Sequence, residues 1–205
     1  MVTAPLPAPA TPVRASLVAR GRAALRRLVA DRRGVSAVEF AILLPLMLTL
    51  FIAGNEVSQA MTIYRKISHT GATLGDLVSQ VSSISSSDMT NILAAANAVM
   101  APYDASQAKL VVSAVNYTTS GGFVTAWSVA SNTTAWTVGS TPPITIPSGL
   151  VTNGQQLIVT QARYDYVSTF STFMADIWGS GTITLKDVTY LRPRVSTTVA
   201  YPSPN

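Results

Sequence analysis

The feature that most constrains this chain is a predominantly apolar run of 20 residues from Val35 to Gly54. At a rise of about 1.5 Å per residue, a helix of this length matches the roughly 30 Å hydrocarbon core of a bilayer. The run contains a single charged residue, Glu39, close to its start. The sequence therefore predicts one transmembrane helix over residues 35–54.

Charge is distributed unevenly on the two sides of this run. The whole chain has a net charge of +5, but residues 1–34 carry +6 and residues 35–205 carry −1. A nucleic-acid-binding protein would cluster Lys and Arg on its folded domain, so we expect no nucleic-acid partner. Basic residues flanking a span favour the cytoplasmic side, which predicts a cytoplasmic N-terminus and a domain on the far side of the membrane.

The segment ahead of the span is basic and rich in small residues. Residues 1–13 are rich in Pro and Ala and are predicted to be disordered. Residues 14–33 contain seven arginines and several leucines, which fits either a basic amphipathic helix on an anionic membrane surface or a solvated basic tail. A cleaved secretory signal is disfavoured, because the apolar run exceeds the usual length of about 7–15 residues.

The inventory of reactive side chains is small. There is no Cys and only one His, His69, which excludes thiol nucleophiles, zinc–thiolate sites and two-histidine metal sites. No nucleophile–base motif is present either. We therefore expect no cofactor, no metal site and no enzymatic activity, with a carboxylate pair assembled by folding as the one catalytic arrangement that a sequence cannot reveal.

The helix is predicted to continue beyond the span. Apolar residues recur every three or four positions on one face, namely at Ala60, Ile63, Ile67, Thr70, Leu74, Leu77, Val81 and Ile84. Gly71 and Gly75 weaken a helix and predict a bend. The stretch "SSISSSD" (82–88) indicates a break, after which Ser87 or Asp88 would cap a second helix over residues 89–100.

From about residue 109 the apolar period changes to two. Four segments rich in Val, Thr, Tyr and Ile predict strands at residues 109–117, 123–130, 156–167 and 182–191. Because the sequence shows no helical crossovers of βαβ length between most of these strands, the sheet should be antiparallel. Residues 168–178 are either a short helix or a loop. The predicted fold class is α+β: a long N-terminal transmembrane helix continuing into a domain with a second helix and an antiparallel sheet of about four strands.

The stretch "RRGVSAVEFAILLPLMLTLFIAG" (32–54) has the arrangement of a type IV prepilin: a basic leader, Gly34, a carboxylate at the fifth position after it, and an apolar helix. It resembles the TadE/TadF-like minor pseudopilins of tight-adherence (Tad, Flp) pilus systems. The closing stretch "VTYLRPRVS" (188–196), with its Arg192-Pro193-Arg194 tripeptide, is similar to the end of TadE-like proteins. The middle of the chain shows no such similarity.

This resemblance implies a processing site and a set of partners. A prepilin peptidase would cut between Gly34 and Val35, with Arg32, Arg33, Glu39 and Phe40 forming the processing and assembly motif. Residues 1–34 would then be a removed leader and residues 55–205 a periplasmic pilin-like domain anchored in the bacterial inner membrane. The partners implied are the prepilin peptidase, the other pilins and pseudopilins of the Tad system, the inner-membrane assembly platform and the membrane itself. The alternative is an uncleaved, single-pass membrane-anchored adhesin or binding module.

Overall fold

The structure is a computed structural model that describes residues 21–22, 25–27, 33–118, 120, 122–147, 149–179 and 181–202. Most of the predicted leader, including Arg32, lies outside the described residues. The chain divides into two units, Met1–Ala53 and Gly54–Asn205.

The N-terminal unit is dominated by the start of a 47-residue helix, α1, which spans Arg33–Ser79. Pro45 lies inside this helix, and the Thr49 hydroxyl donates a hydrogen bond to the Pro45 carbonyl at 2.8 Å. In this part of the helix the large apolar side chains are exposed: Val35, Val38, Phe40, Ile42, Leu43, Leu44, Leu46, Met47, Leu48, Leu50 and Phe51. Such a surface is stable only in apolar surroundings.

The C-terminal unit is built on a four-stranded antiparallel sheet with the order β2-β1-β3-β4. The strands span Ala108–Tyr117 (β1), Phe123–Ser131 (β2), Gln156–Val167 (β3) and Thr182–Leu191 (β4). Helix α2 (Ser86–Val99) precedes the first strand, and helix α3 (Ser171–Trp178) connects β3 to β4. The predicted α+β class, with a long apolar N-terminal helix, is confirmed.

Helix α1 covers one face of this sheet. Its buried residues Ile63, Ile67, Leu74 and Val78 form a core with alternate residues of the two central strands, as the pleat requires. These strand residues include Leu110, Val112, Ala114, Ile158 and Ala162. The prediction of the apolar face of α1 was wrong at the C-terminal end of the helix. Leu77 is exposed, Val78 takes the buried position, and the helix stops at Ser79 before Val81 and Ile84.

Gly71 and Gly75 do not interrupt α1, which runs from Arg33 to Ser79. A Cβ at Gly71 would lie 3.0 Å from the Ala162 Cβ, and one at Gly75 would lie 2.7 Å from a methyl group of Leu191. The Thr160 hydroxyl also donates a hydrogen bond to the Gly71 carbonyl at 2.9 Å. The glycines therefore permit close approach of helix and sheet, which outweighs their lower helix propensity.

Helix α2 begins one turn earlier than the sequence predicts. Its N-cap is Ser85, whose hydroxyl accepts a hydrogen bond from the Asp88 backbone N–H, while the Asp88 carboxylate accepts from the Ser85 N–H. This is a capping box. The hydrogen bonds from Ser85 also lower the pKa of Asp88. The predicted cap residues Ser87 and Asp88 lie within the helix, because Ser85 is the residue with an extended backbone.

The opposite face of the sheet is covered by the connection between β2 and β3. Val111, Val115, Leu157 and Val159 pack there with Trp136 of that connection. Further partly buried residues of the same segment join them, namely Ile144, Ile146 and Leu150. The long connection is thus the second covering layer of the sheet.

The C-terminal segment ties the end of α1 to the sheet. The Arg194 backbone N–H donates to the Ser79 carbonyl at 2.8 Å, and its guanidinium lies 2.6 Å from the Asp76 carboxylate. Arg192 donates to the Leu150 carbonyl. Val199 is buried, and its carbonyl accepts a hydrogen bond from the Trp127 indole at 2.8 Å. Both arginines of the tripeptide therefore have structural partners.

Candidate functional site

The predicted processing site lies at the start of α1 and is fully accessible. Gly34 and Glu39 are exposed, and Val35 and Phe40 are 56% and 59% exposed. A Cβ built at Gly34 would meet no atom within 4 Å. Nothing in the described fold thus requires glycine at this position, which leaves recognition by another molecule as a reason for it.

The two arginines of the motif are described unequally. Arg32 lies outside the described residues, and Arg33 is the first residue of α1, with its side chain outside the description. Five of the six predicted motif residues therefore lie on the first turns of α1, and four of them, Gly34, Val35, Glu39 and Phe40, are described beyond their backbone.

Glu39 follows Val35 by four residues, which is about 6 Å along a helix. Residues four apart lie on the same side of a helix, so the Glu39 carboxylate is on the side that carries Val35. Within the described part of the chain, none of the ion pairs includes Glu39. A cation supplied at Val35 or by another chain would find this carboxylate accessible.

The apolar stretch around this site meets the physical requirements of a membrane span. The described residues include one helix of sufficient length and hydropathy, Gly34–Ser79, whose best 18-residue window has a mean hydropathy of 2.3 and no buried part. A single pass across a membrane is consistent with these values.

The second unit contains a buried carboxylate that the sequence reasoning missed. Glu56 is 1% exposed, and its Oε2 accepts a hydrogen bond of 2.7 Å from the Tyr166 hydroxyl. Its Oε1 has no hydrogen-bond partner among the described residues. Burial, reinforced by the hydrogen bond to Glu56, raises the pKa of Tyr166. The available signal was spacing, since Glu56 precedes Ala60 and Ile63 by four and seven residues on the buried face of α1.

A second charged cluster lies on the sheet. The Asp165 carboxylate contacts Lys109 Nζ at 2.6 Å and Arg163 Nε at 3.0 Å, and accepts a hydrogen bond from the Thr184 hydroxyl at 3.0 Å. These contacts, the one with Lys109 above all, lower the pKa of Asp165 to about 2. All four residues belong to strands β1, β3 and β4, so the cluster fastens three strands together.

Neither carboxylate cluster has the makeup of a metal site. Among the described residues, no group of three or more His, Cys, Asp and Glu side chains is placed to hold a metal ion.

Comparison with known proteins supports the resemblance seen in the N-terminal motif. The family model of the TadE-like proteins matches residues 34–72, from the predicted cleavage glycine to the part of α1 that packs on the sheet. No curated protein and no solved structure matches the chain. Over the helix that carries Gly34 and Glu39, this chain is therefore similar to the TadE-like proteins.

Proposed function

We propose that this chain is a minor pseudopilin needed for the assembly of Flp/Tad adhesion pili. The observation that carries the proposal is the family match, which begins at Gly34 and extends along the exposed apolar part of α1. A helix with an exposed apolar surface on all sides can pass from a bilayer into a bundle of similar helices, because both environments are apolar. The partners would be other pilins and pseudopilins and the inner-membrane assembly platform.

Processing by a prepilin peptidase between Gly34 and Val35 is the first step of the proposed function. The basic leader holds this bond at the cytoplasmic interface. Its removal takes away a charge of +6 from the N-terminal end of the span. Arginines at that end resist entry into the hydrocarbon core, so their loss lowers the cost of drawing the helix out of the membrane.

The cleavage is tested by N-terminal sequencing and mass measurement of the protein extracted from membranes of cells that contain the peptidase. The mature chain should begin "VSAVEF". Gly34→Leu should block the cut, because its side chain keeps the protease from the backbone. Gly54→Leu is the matched control: Gly54 lies in the same helix, and a Cβ there also meets no atom within 4 Å.

Two outcomes would contradict this part of the proposal. A mature wild-type chain that still starts at Met1 would favour the uncleaved, membrane-anchored adhesin or binding module instead. Equal processing of Gly34→Leu and wild type would show that Gly34 is not the recognised residue.

The proposed orientation places the N-terminus in the cytoplasm and the C-terminal unit in the periplasm. Seven arginines precede the span, whereas Arg65 and Lys66 are the basic residues that follow it closely. An alkaline phosphatase fusion after Asn205, which is active only in the periplasm, should therefore be active. Activity of a fused fluorescent protein that matures only in the cytoplasm would reverse this orientation.

A further inference from the structure

The C-terminal unit has an apolar hollow between α1 and the edge strand β4. Its volume is about 340 Å³. Six residues line it: Val57, Ala60, Met61, Tyr64, Ile183 and Leu185. Among the described lining residues, the Tyr64 hydroxyl is the only polar side-chain group. A hollow of this kind binds an apolar ligand and offers a polar one almost nothing.

The rim of the hollow is open to the surroundings. Val57 is 52% exposed, Met61 51% and Tyr64 38%. Val167, the last residue of β3, and Phe170, which precedes α3, are large exposed apolar residues as well. Tyr166, which precedes Val167, is paired with Ile183 of the hollow across β3 and β4. Val167 and Phe170 therefore lie at the same end of the unit as the hollow. Clustered apolar exposure of this size marks a contact surface.

The position of the hollow in the chain identifies what it contacts. Val57 is the third residue after Gly54, where the predicted span ends. Three residues reach at most about 11 Å in any conformation, and the headgroup layer of a bilayer begins where the span ends. Val57 therefore stays close to the lipid headgroups however the two units are oriented. Met61 lies one turn further along the same helix.

The side chains around the hollow match a lipid surface in chemistry. Tyr64 has the residue type that is enriched at membrane–water interfaces, where an apolar ring and a polar tip are both satisfied. Arg65 is exposed beside it and has the charge that anionic headgroups attract. A protein partner would be expected to form about one hydrogen bond per 100–200 Å² of contact, for which this lining provides one hydroxyl.

We propose that this end of the C-terminal unit docks onto the bilayer surface, with lipid acyl chains filling the hollow lined by Val57, Met61 and Tyr64. The docking rests on the proposed membrane span and adds a second contact with lipid. It would limit the tilt of the unit on its span and hold it against the membrane until assembly withdraws the helix.

The test uses spin labels in the full-length protein, whose lack of cysteine allows single labels without background. Met61→Cys reports on the hollow and Leu48→Cys on the span. Val195→Cys is the control, because Val195 is 66% exposed and lies far from the hollow. Its neighbour Arg194 forms a salt bridge with Asp76. Asp76 lies 15 residues after Met61 in α1, which is about 22 Å along the helix. Each labelled protein is placed in vesicles of phosphatidylcholine and phosphatidylglycerol. Collisions with oxygen, which concentrates in lipid, and with a water-soluble nickel chelate are measured by power saturation.

Labels at positions 48 and 61 should both collide more often with oxygen than with nickel, and the label at 195 should show the reverse. The oxygen-to-nickel ratio should be several-fold higher at 61 than at 195. A nickel-dominated signal at 61 would overturn the docking, and so would shielding from both reagents, which indicates contact between protein copies. A nickel-dominated signal at 48 would instead overturn the span, so the two failures are distinguishable.

Discussion

Glu39 is the one carboxylate of the apolar run, and we expect its role to depend on a positive charge that the uncut chain lacks at Val35. A charge at mid-bilayer costs roughly 2.5–3.5 kcal/mol on insertion scales, and less near the interface. Cleavage after Gly34 would create a free α-amino group at Val35, one helical turn away. We expect this amine, on the same or a neighbouring subunit, to pair with Glu39 during assembly.

Glu39→Gln separates these steps, because it removes the charge and keeps the size of the side chain. The variant should be inserted and at least partly cleaved, and cells that carry it should lose pili, counted by electron microscopy. Ser36→Ala, a neutral change in the same turns of the helix, should leave pilus numbers unchanged. Normal pilus numbers in the Glu39→Gln strain would show that no charge pairing is needed.

The buried pair of Glu56 and Tyr166 makes a prediction about stability. Tyr166→Phe leaves the Glu56 carboxylate buried with no hydrogen-bond donor, which should cost at least about 1–3 kcal/mol. Tyr190→Phe is the matched control, because the Tyr190 hydroxyl donates to the Thr145 carbonyl at an exposed site. The midpoint of thermal unfolding in detergent should fall clearly for Tyr166→Phe and little for Tyr190→Phe.

The double variant Glu56→Leu with Tyr166→Phe sharpens this test. Replacing both partners by apolar groups removes the unpaired buried carboxyl group, so the double variant should be more stable than Tyr166→Phe alone. If Tyr166→Phe and Tyr190→Phe lowered the unfolding midpoint equally, the Glu56–Tyr166 hydrogen bond would contribute nothing particular to the fold.

Asp165 makes the stability depend on acid pH. Its pKa is about 2 in the folded protein, whereas an unfolded Asp titrates near 3.9. The stabilisation is therefore complete above about pH 4 and is lost as the pH falls from about 4 through 2. The unfolding midpoint of the wild type should drop more steeply over this range than that of Asp165→Asn. Parallel pH profiles of the two proteins would contradict this assignment.

At the scale of elements, the contact between α1 and the sheet depends on side chains that are absent. At Gly75 a Cβ would meet Leu191 at 2.7 Å and the stiff Thr160 side chain at 3.1 Å. Gly75→Val should therefore overpack this contact and destabilise the C-terminal unit by about 1–3 kcal/mol. Gly54→Val controls for helix propensity, because it places the same side chain in open space on the same helix. Equal unfolding midpoints of the two variants would show that the helix does not need this close approach.

At the scale of the whole molecule, the division at Gly54 predicts where the chain can be shortened. The unit Gly54–Asn205 contains both core clusters, including the residues of α1 that cover the sheet. A protein of residues 54–205 should therefore fold without the span and unfold cooperatively. A protein of residues 59–205 should be less stable, because it lacks Glu56 and leaves the Tyr166 hydroxyl buried without its acceptor.

The comparison of the two shortened proteins is made by thermal unfolding followed by circular dichroism, in buffer with mild detergent to cover the apolar hollow. Non-cooperative unfolding of the longer protein would show that the C-terminal unit needs the span for its fold. Equal midpoints of the two proteins would show that Glu56 does not contribute to stability.

The sequence alone determined the features that depend on neighbouring residues. The span follows from composition over 20 residues, and the four strands follow from an alternation that the pleat imposes locally. The prepilin-like motif is also contiguous, so Gly34, Val35 and Glu39 are recognisable from their order along the chain, and the family match to residues 34–72 agrees with that interpretation. The exact cap of α2 was missed by a few residues because several neighbouring serines and Asp88 can all cap a helix.

Only the tertiary structure decided which distant residues meet. Glu56 and Tyr166 are 110 positions apart, and Gly71 and Thr160 are 89 apart. Considered locally, the helix glycines only lower helix propensity, whereas the structure shows that they lie where α1 packs against Thr160, Ala162 and Leu191 of the sheet. The connection between β2 and β3 likewise has the composition of turns. It becomes a covering layer only because the folded sheet has a second apolar face that must be buried.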